Sequence, residues 1–327
     1  MYALKSFIAA TVAAVCALIA PASASAADTF PDHPIRIVVP FSPSGGIDIL
    51  ARTIAQELTG QWQSGVVVEN KPGASGNIGT DYAARSAPDG YTWLMTANTL
   101  VMTPSLMPVN FKPKQDFTPV TEVAIGYLAL VTRPGLPVKS VHDLIALAKS
   151  EPGKLNYGSP GTGTPHHLAM ELLKQKAGFN VVHVPYKGSA ELVNGVLSGQ
   201  VSLAFLPVHQ ALALARAGKL QMLAAGGAKR TAVTPDVPSL AEASGIKDID
   251  VDMWYALYLP AGAPAELVKK INVAVNNILK EPSVAKRLAD VGLAPRGSTP
   301  QELAATTGSD LSRWAQVIQL AGLKAGQ

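Results

Sequence analysis

The stretch that could do chemistry most directly is Pro-Phe-Ser-Pro-Ser-Gly-Gly-Ile-Asp, over residues 40–48. It joins an apolar strand pattern over 35–39 to an amphipathic helix pattern that begins near Ile47. The two glycines let backbone N–H groups approach a ligand closely, and the positive end of the helix dipole points to the same place. The pattern predicts an anion-binding loop, although the same turn would also form if Asp48 only capped the helix.

Three further loops have the same strand-to-helix setting. Residues 70–79 are rich in glycine and polar side chains and could equally serve as a helix-capping loop. Residues 157–165 contain three glycines and three aliphatic hydroxyls before Pro165, which suits the first position of a helix. Residues 183–189 end at Ser189, which can cap the following helix. Such loops, gathered at the carboxyl ends of parallel strands, would form an anion pocket.

Motifs of several enzyme classes are absent from the sequence. There is no Gly-x-Ser-x-Gly elbow, no phosphate loop ending in Gly-Lys-Ser/Thr and no Gly-x-Gly-x-x-Gly fingerprint. The adjacent His166 and His167 would point about 100° apart on a helix, so they cannot share a metal ion. His183 and His209 could act as general bases, but no nucleophile with its partner accompanies them. We therefore predict no catalytic residue, no metal ion and no cofactor.

The first residues predict export. Lys5 precedes an apolar run over 7–20 and small residues follow it, which is the pattern of a secretory signal peptide over 1–26 with cleavage near Ala26. The apolar run is too short for a membrane span, and the residues before Cys16 make a poor lipoprotein box. Cys16 is the only cysteine, so we expect a mature periplasmic protein without disulfides or thiol chemistry.

The composition bounds the class of protein. The chain has 327 residues, of which 48% are hydrophobic and 15% are charged, and this is enough to bury two cores. The net charge of +4 comes from scattered basic residues, which suits an anionic ligand but gives no support to nucleic-acid binding. We expect a monomer that binds no nucleic acid.

Short strand patterns alternate with helical patterns, which is typical of an α/β fold with mostly parallel sheets. The predicted strands cover 35–39, 66–69, 91–96, 129–132, 181–184, 201–206 and 220–224. The predicted helices cover 47–59, 141–149, 166–176, 191–197, 208–217 and 266–279.

Two segments predict a change of sheet. Residues 133–137 read as a connection that leaves one sheet, and 254–262 as a strand and turn that return to it. A first lobe would then comprise 27–132 and 255–327, with a second lobe over 133–254. Two lobes joined in this way can close over a ligand by hinge motion.

The longer motifs resemble the Bug family of periplasmic solute receptors, the extracytoplasmic binding components associated with tripartite tricarboxylate transporters. The matching pieces are PFSPSGGIDILAR from Pro40, VVVENKPGASGNIG from Val66, APDGYT from Ala87, PGKLNYGSPGTGT from Pro152, HVPYKGSAELV from His183 and PDVPSLAEA from Pro235. They span nearly the whole predicted mature chain. The resemblance implies a class II periplasmic binding protein fold, with two lobes, a central β-sheet flanked by helices in each, and a ligand cleft between them.

The resemblance also implies which residues contact the ligand. In the first lobe they are Phe41, Ser42, Ser44, Gly45, Ala74, Ser75, Thr96, Ala97 and Asn98. In the second lobe they are Ser159, Gly161, Thr162, Gly163, Thr164, Pro207 and Val208. No arginine lies in the loop at 40–48, which favours neutral hydrogen bonds over a bidentate clamp. Ser44 stands where the family usually has glycine or alanine, and Ser202 where it commonly has aspartate, so the identity of the ligand stays open.

The implied function is capture of a small mono- or dicarboxylate, aliphatic or aromatic, by lobe closure and without covalent chemistry. The receptor would deliver this acid to the membrane subunits of a tripartite tricarboxylate transporter. An extracytoplasmic sensor that reports the same acid to a two-component membrane kinase would have the same sequence features. A periplasmic enzyme that acts on organic acids is the remaining alternative.

Overall fold

The structure is a computed structural model, and the residues that it describes are 30–43, 45–62, 64–231 and 233–323. The predicted signal peptide, Cys16 and Ser44 lie outside them. In chain order the strands are β1 (Ile35–Val39), β2 (Val66–Asn70), β3 (Thr92–Ala97), β4 (Phe117–Gly126), β5 (Leu128–Thr132), β6 (Asn156–Ser159), β7 (Val182–Pro185), β8 (Leu203–Pro207), β9 (Gln221–Ala225), β10 (Met253–Pro260) and β11 (Leu293–Pro295). The helices are α1 (Gly46–Trp62), α2 (Asn77–Ala84), α3 (Thr99–Leu106), α4 (Val141–Ser150), α5 (Pro165–Ala177), α6 (Ser189–Leu197), α7 (Val208–Arg216), α8 (Leu240–Ser244), α9 (Ala265–Leu279), α10 (Pro282–Asp290) and α11 (Pro300–Leu320).

The strands form two sheets. The first has six strands in the order β11-β4-β10-β3-β1-β2, and the second has five in the order β7-β6-β8-β5-β9. β1 is parallel to β2 and β3, and β6 is parallel to β7 and β8. β5 and β10 run antiparallel to their neighbours, so both sheets are mixed. The chain therefore has the two-lobed α/β fold that the sequence predicts, with one sheet in each lobe.

Helices with regular apolar spacing cover the sheets. In α1, Leu50, Ile54 and Leu58 are fully buried, and their spacing of four residues places them on one helix face. This face packs against β1 and β2, and the three residues Ile37, Val38 and Val39 in β1 have no exposed surface. The sequence of a strand buried on both faces is a continuous apolar run, and this is why β1 could be predicted from the sequence.

The seven predicted strands and six predicted helices are confirmed at closely similar positions. Pro165 is the first residue of α5, as its position before a helix pattern predicts. The prediction that Ser189 caps α6 is wrong, because Gly188 is the N-cap and no side chain caps the helix. Several elements were not predicted from the sequence: β4, β6, β11, α3, α8, α10 and α11.

The chain passes between the sheets at two places. β4 ends at Gly126 in the first sheet and β5 begins at Leu128 in the second, so Tyr127 alone separates them. The chain returns to the first sheet at Met253, where β10 begins. The predicted connection over 133–137 instead follows β5, because β4 was not predicted and the change of sheet was placed one strand too late. The exact lobe boundaries stay a prediction.

A substitution at Gly79 in α2 tests how tightly the first lobe is packed below its loops. A Cβ atom there would lie 2.7 Å from the Lys71 carbonyl oxygen and 2.8 Å from Pro40 Cα, both of them backbone atoms. We expect Gly79→Ala to destabilise the protein by about 1–3 kcal/mol. Gly308→Ala is the matched control, since nothing lies within 4 Å of that position in α11, and we expect it to stabilise by about 0.5–1 kcal/mol. Urea unfolding measures both, and equal effects would contradict the expectation.

Candidate functional site

The loop between β1 and α1 is held by the last residue of β2. Asn70 Nδ2 donates to the Phe41 carbonyl at 3.0 Å and to Asp48 Oδ1 at 2.9 Å. Arg52 Nε donates to the other carboxylate oxygen of Asp48 at 2.9 Å. Asp48 is almost fully buried, and these contacts tie its charge into α1 and β2. The loop residues Ser42 and Gly45 remain exposed, whereas Phe41 is half-buried.

The loop between β2 and α2 has an unusual backbone. Four successive residues, Gly73, Ala74, Ser75 and Gly76, have φ values of +131°, +48°, +56° and +94°. For alanine and serine such values cost free energy and persist where surrounding structure enforces them, often at ligand sites. Gly76 packs closely on the Phe41 ring, where a Cβ would lie 3.1 Å from Cζ. The first two predicted loops therefore contact each other, with Ala74 and Ser75 exposed.

The end of β3 presents buried polar oxygens without partners. Thr96 and Asn98 are each only 1% exposed, yet Thr96 Oγ1 and Asn98 Oδ1 have no hydrogen-bond partner within the described part of the chain. The Asn98 side chain has only a long 3.5 Å contact from Nδ2 to the Asp252 carbonyl. A buried unsatisfied polar group costs about 1–3 kcal/mol, and folded proteins rarely keep one without a role. These two oxygens are therefore suited to a ligand or to waters around it.

The loop between β6 and α5 satisfies most of its own backbone. Gly161 N donates to Ser159 Oγ at 3.2 Å, Gly163 N donates to His167 Nδ1 at 2.9 Å, and Thr164 N donates to the Gly161 carbonyl at 3.3 Å. The hydroxyls of Ser159 and Thr164 both donate to that same carbonyl, at 2.9 and 2.8 Å. Thr162 is exposed, and neither its amide nor its hydroxyl is used in these contacts. Thr162 is therefore the loop residue best able to hydrogen bond a ligand.

A buried cluster supports this loop from below. The rings of His167 and His183 stack with centroids 3.9 Å apart, and His183 stacks on Tyr157 at 4.8 Å. Tyr157 donates to Glu171 Oε1, which also accepts from Lys174 Nζ at 2.7 Å. Burial lowers the pKa of His167 to about 3 and of His183 to about 4, so both rings are neutral at pH 7.

Ser159 and His183 form a pair that resembles a nucleophile and its base. Ser159 Oγ lies 2.7 Å from His183 Nε2. Ser159 Oγ also lies 2.9 Å from the Gly161 carbonyl oxygen, which competes with His183 for the single hydroxyl proton; when that proton is donated to Gly161, His183 Nε2 donates to Ser159. Ser159 is also fully buried, and an imidazole with a pKa of about 4 is a weak base. The pair holds the loop in shape and is poorly placed for nucleophilic chemistry.

The turn between β8 and α7 lies at the first crossing between the sheets. Pro207 is half-buried and pairs with Leu128 in β5. Val208 N donates to the Tyr127 carbonyl at 2.9 Å, and its side chain is fully buried. Of the residues predicted from the sequence, Val208 thus has the least to offer a ligand.

Contacts between the lobes bring these loops together. Leu106, at the end of α3, packs on Gly163, where a Cβ would lie 2.6 Å from Leu106 Cδ1. On another side, His209 of α7 packs on Gly292, which precedes β11. Gln175 Nε2 of α5 donates to the Val317 carbonyl of α11 at 2.7 Å. The loop at 159–164 therefore faces α3, the helix whose N-cap is Asn98.

Asp252 lies at the return crossing just before β10 and was not among the residues predicted from the sequence. Burial is the main cause that raises the pKa of its carboxyl to about 7, and the nearby Asp250 carboxylate raises it further. Hydrogen bonds from the backbone of Gly227 and Leu128 and the charge of Arg313 act in the opposite direction. No sequence motif marks this residue, because its environment comes from three separate segments.

Metal ligands do not cluster in the ranges that the structure describes. Residues 30–323, apart from 44, 63 and 232, hold no group of three or more His, Cys, Asp or Glu side chains able to bind a metal ion. Over the same residues, no helix is both long and apolar enough to cross a membrane.

Residues 50–323 match the family described as "Tripartite tricarboxylate transporter family receptor". Protein BugT of Bordetella pertussis is 35% identical over 314 residues, which is 95% of each chain. A solved structure of R. palustris Rpa4515 with adipate has a TM-score of 0.79 and 34% identity, covering 90% of this chain and 99% of that one. MatC (Rpa3494) from Rhodopseudomonas palustris with bound malate has a TM-score of 0.75 and 29% identity, covering 88% and 100%.

The raised pKa of Asp252 predicts that the stability gained by removing this carboxylate depends on pH. Its pKa is about 7 in the folded protein and near 3.8 ordinarily, so between those values only the folded chain holds the proton. The resulting stabilisation is present below about pH 4 and is lost as the pH rises through 7. We expect Asp252→Asn to gain stability relative to the wild type between about pH 5 and pH 8, as measured by urea unfolding. Asp236→Asn, at an exposed carboxylate, is the control, and a gain that does not depend on pH would contradict the expectation.

Proposed function

The chain belongs to the tripartite tricarboxylate transporter receptor family, and we propose that it captures a small carboxylate between its two lobes in the periplasm and delivers it to the membrane subunits of such a transporter. The chain is a solute-binding protein and not an enzyme, because the family and its solved members are solute-binding proteins. The resemblance to the Bug family is thereby confirmed. The carboxylate, its delivery and the contact residues are the proposal.

One observation carries the carboxylate proposal. Thr96 and Asn98 bury unpartnered side-chain oxygens at the carboxyl end of β3, in the lobe whose loops at 41–45 and 73–76 contain exposed residues. The Thr96 hydroxyl can donate to a carboxylate oxygen, and Asn98 Oδ1 can accept from a water that bridges to it. The solved relatives with adipate and with malate support an acid of this size.

The proposed contacts in the first lobe come from the loop at 41–45, including Ser44, from Ala74 and Ser75, and from Thr96, Ala97 and Asn98. Those in the second lobe come from the loop at 159–164 and from Pro207 and Val208, with Thr162 as the leading side chain. Neutral hydrogen bonds to a carboxylate need no arginine, and a preformed loop loses little entropy on binding. Closure of the lobes by hinge motion would complete the site.

Export is part of the proposal. The pattern over 1–26 supports cleavage near Ala26 and a periplasmic monomer. Mass spectrometry of the protein from the periplasmic fraction is expected to show a chain that starts near residue 27. A chain that retains the apolar run would contradict this.

A screen of small carboxylates tests the binding function. A ligand at about 100 times its Kd should stabilise the folded protein by about 2.7 kcal/mol. We expect adipate, malate or a similar acid to raise the Tm without being consumed. Absence of any shift across mono- and dicarboxylates would contradict the proposal.

Substitutions in the second-lobe loop test the site. Thr162→Ala should weaken carboxylate binding about five- to tenfold, the value of one hydrogen bond, without changing the Tm of the free protein. Ser159→Ala should weaken binding and also lower the Tm, because Gly161 and His183 lose their shared partner. Isothermal titration calorimetry measures both, and unchanged affinity in both variants would overturn the second-lobe assignment.

A sensory role would use the same binding chemistry. In that case the loaded protein would contact a two-component membrane kinase instead of a permease. Uptake of the identified acid by cells that lack this gene separates the two. Lost uptake supports delivery to a transporter, whereas normal uptake with a lost transcriptional response supports sensing.

A further inference from the structure

His166 is a half-buried histidine whose two ring nitrogens are buried and have no hydrogen-bond partner among the described residues. It is the second residue of α5, next to the loop at 159–164. Both ring nitrogens, Nδ1 and Nε2, are buried, and neither bonds to any described residue. Burial alone lowers the pKa of the ring to about 4, with no neighbouring charge contributing, so the ring is neutral at pH 7.

Helical geometry places this ring at the ligand end of the second lobe. Residues three, four and seven positions along a helix share a face, so His166 shares one with Ala169, Met170 and Leu173, which are fully buried. α5 packs against β8, and the short loop from β6 sets its N-terminus at the carboxyl end of these parallel strands. The first turn of α5, which carries His166, therefore lies at the same edge of the sheet as the end of β8, where the Pro207 turn begins. His167, about 100° around the helix, turns instead to Gly163 and His183.

Two unpartnered nitrogens in the interior are costly, since a buried donor or acceptor without a partner loses its hydration without replacement. The first turn of α5 provides no hydrogen-bond partner for these nitrogens, because Gly163 N already donates to His167 and Thr164 Oγ1 caps the helix. In the first lobe, Thr96 and Asn98 have buried unpartnered oxygens at the carboxyl end of β3. Each lobe thus presents unsatisfied polar groups at the edge of its sheet where the proposed ligand would lie.

We propose that His166 is a specificity-determining residue that hydrogen bonds the distal carboxylate of a dicarboxylate ligand. This inference rests on the proposed function and adds which acids the site prefers. A neutral imidazole has one N–H donor, which fits a carboxylate oxygen, and one nitrogen acceptor, which fits a water or a ligand hydroxyl. A monocarboxylate with an apolar tail would leave the donor unpaired in the interior. A site built to hydrogen bond a group rejects the analogue that lacks it.

Calorimetric titration of matched acids tests this role. Wild-type protein is titrated with adipate against hexanoate and with succinate against butyrate, pairs that differ by one carboxylate. We expect the dicarboxylate of the preferred pair to bind at least tenfold more tightly. In His166→Leu this ratio should fall at least tenfold, with monocarboxylate affinity unchanged or higher. His166→Gln, which keeps a side-chain donor, should restore part of the ratio, and His142→Leu, at an exposed position in α4, should leave it unchanged.

The outcomes separate this inference from the proposed function. If the wild type binds no carboxylate at all, the proposed function fails and the role of His166 fails with it. If His166→Leu weakens both acids of a pair equally, or neither, the protein remains a carboxylate receptor but the role of His166 is overturned. Should that variant not fold, the ¹⁵N chemical shifts of the His166 ring in wild-type protein decide. Shifts that move on adipate binding and not on hexanoate binding support the role, and shifts that do not move overturn it.

Discussion

The two crossings of the chain between the sheets are the constraint on which the rest of the structure depends. At the first crossing a single residue, Tyr127, separates β4 from β5, and its carbonyl accepts from Val208 N at the start of α7. At the return crossing, Asn98 N donates to the Trp254 carbonyl in β10. The crossings are thus hydrogen bonded to the turns that follow β8 and β3. Because those turns belong to the candidate site, a rotation about the crossings would change the separation of the two halves of that site.

The loops of the two lobes differ in how their polar groups are satisfied. The second lobe saturates its loop from within, through Ser159, His183 and the stacked rings beneath, and leaves few groups free for a ligand. The first lobe buries unpartnered oxygens on Thr96 and Asn98 and holds left-handed conformations at Ala74 and Ser75. The loop at 159–164 is therefore satisfied internally, and the unmet hydrogen-bonding capacity of the second lobe lies beside it at His166, whereas that of the first lobe lies at Thr96 and Asn98. A ligand gains the most free energy where it satisfies these unpartnered groups.

The sequence predicted the fold where local pattern and burial agree. The strand β1 is a continuous apolar run, and α5 begins with Pro165 at a position that favours it. It failed where tertiary contacts override the pattern. β4 contains Pro119 and Glu122, and the latter is buried with Arg296 and Thr306 of distant segments as its partners. The composition of β6, with Asn156, glycine and serine, is typical of a loop. The segment is a strand because it pairs with β7 on one side and β8 on the other.

The candidate site was predicted in part for the same reason. Glycine-rich loops after strands are visible in a sequence, so the segments around Phe41, Ala74 and Gly161 could be named. Whether a side chain has a partner is not visible, since partners come from other segments. The unpartnered ring nitrogens of His166 and the surroundings of the Asp252 carboxyl at the return crossing could therefore be found only in the three-dimensional structure.

The glycines at the interface have a consequence for how the lobes meet. A side chain of the first lobe, Leu106, rests on Gly163 of the second, and a side chain of the second lobe, His209, rests on Gly292 of the first. Each pair places a side chain of one lobe against a glycine of the other, one pair in each direction, and neither glycine leaves room for a Cβ atom. Both glycines have positive φ, at +79° and +74°, so another residue would add backbone strain to the bulk of its side chain. A larger residue at Gly163 or Gly292 would push the two lobes apart and weaken ligand capture through the lobe geometry. This would follow even though neither Leu106 nor His209 belongs to the predicted contact set.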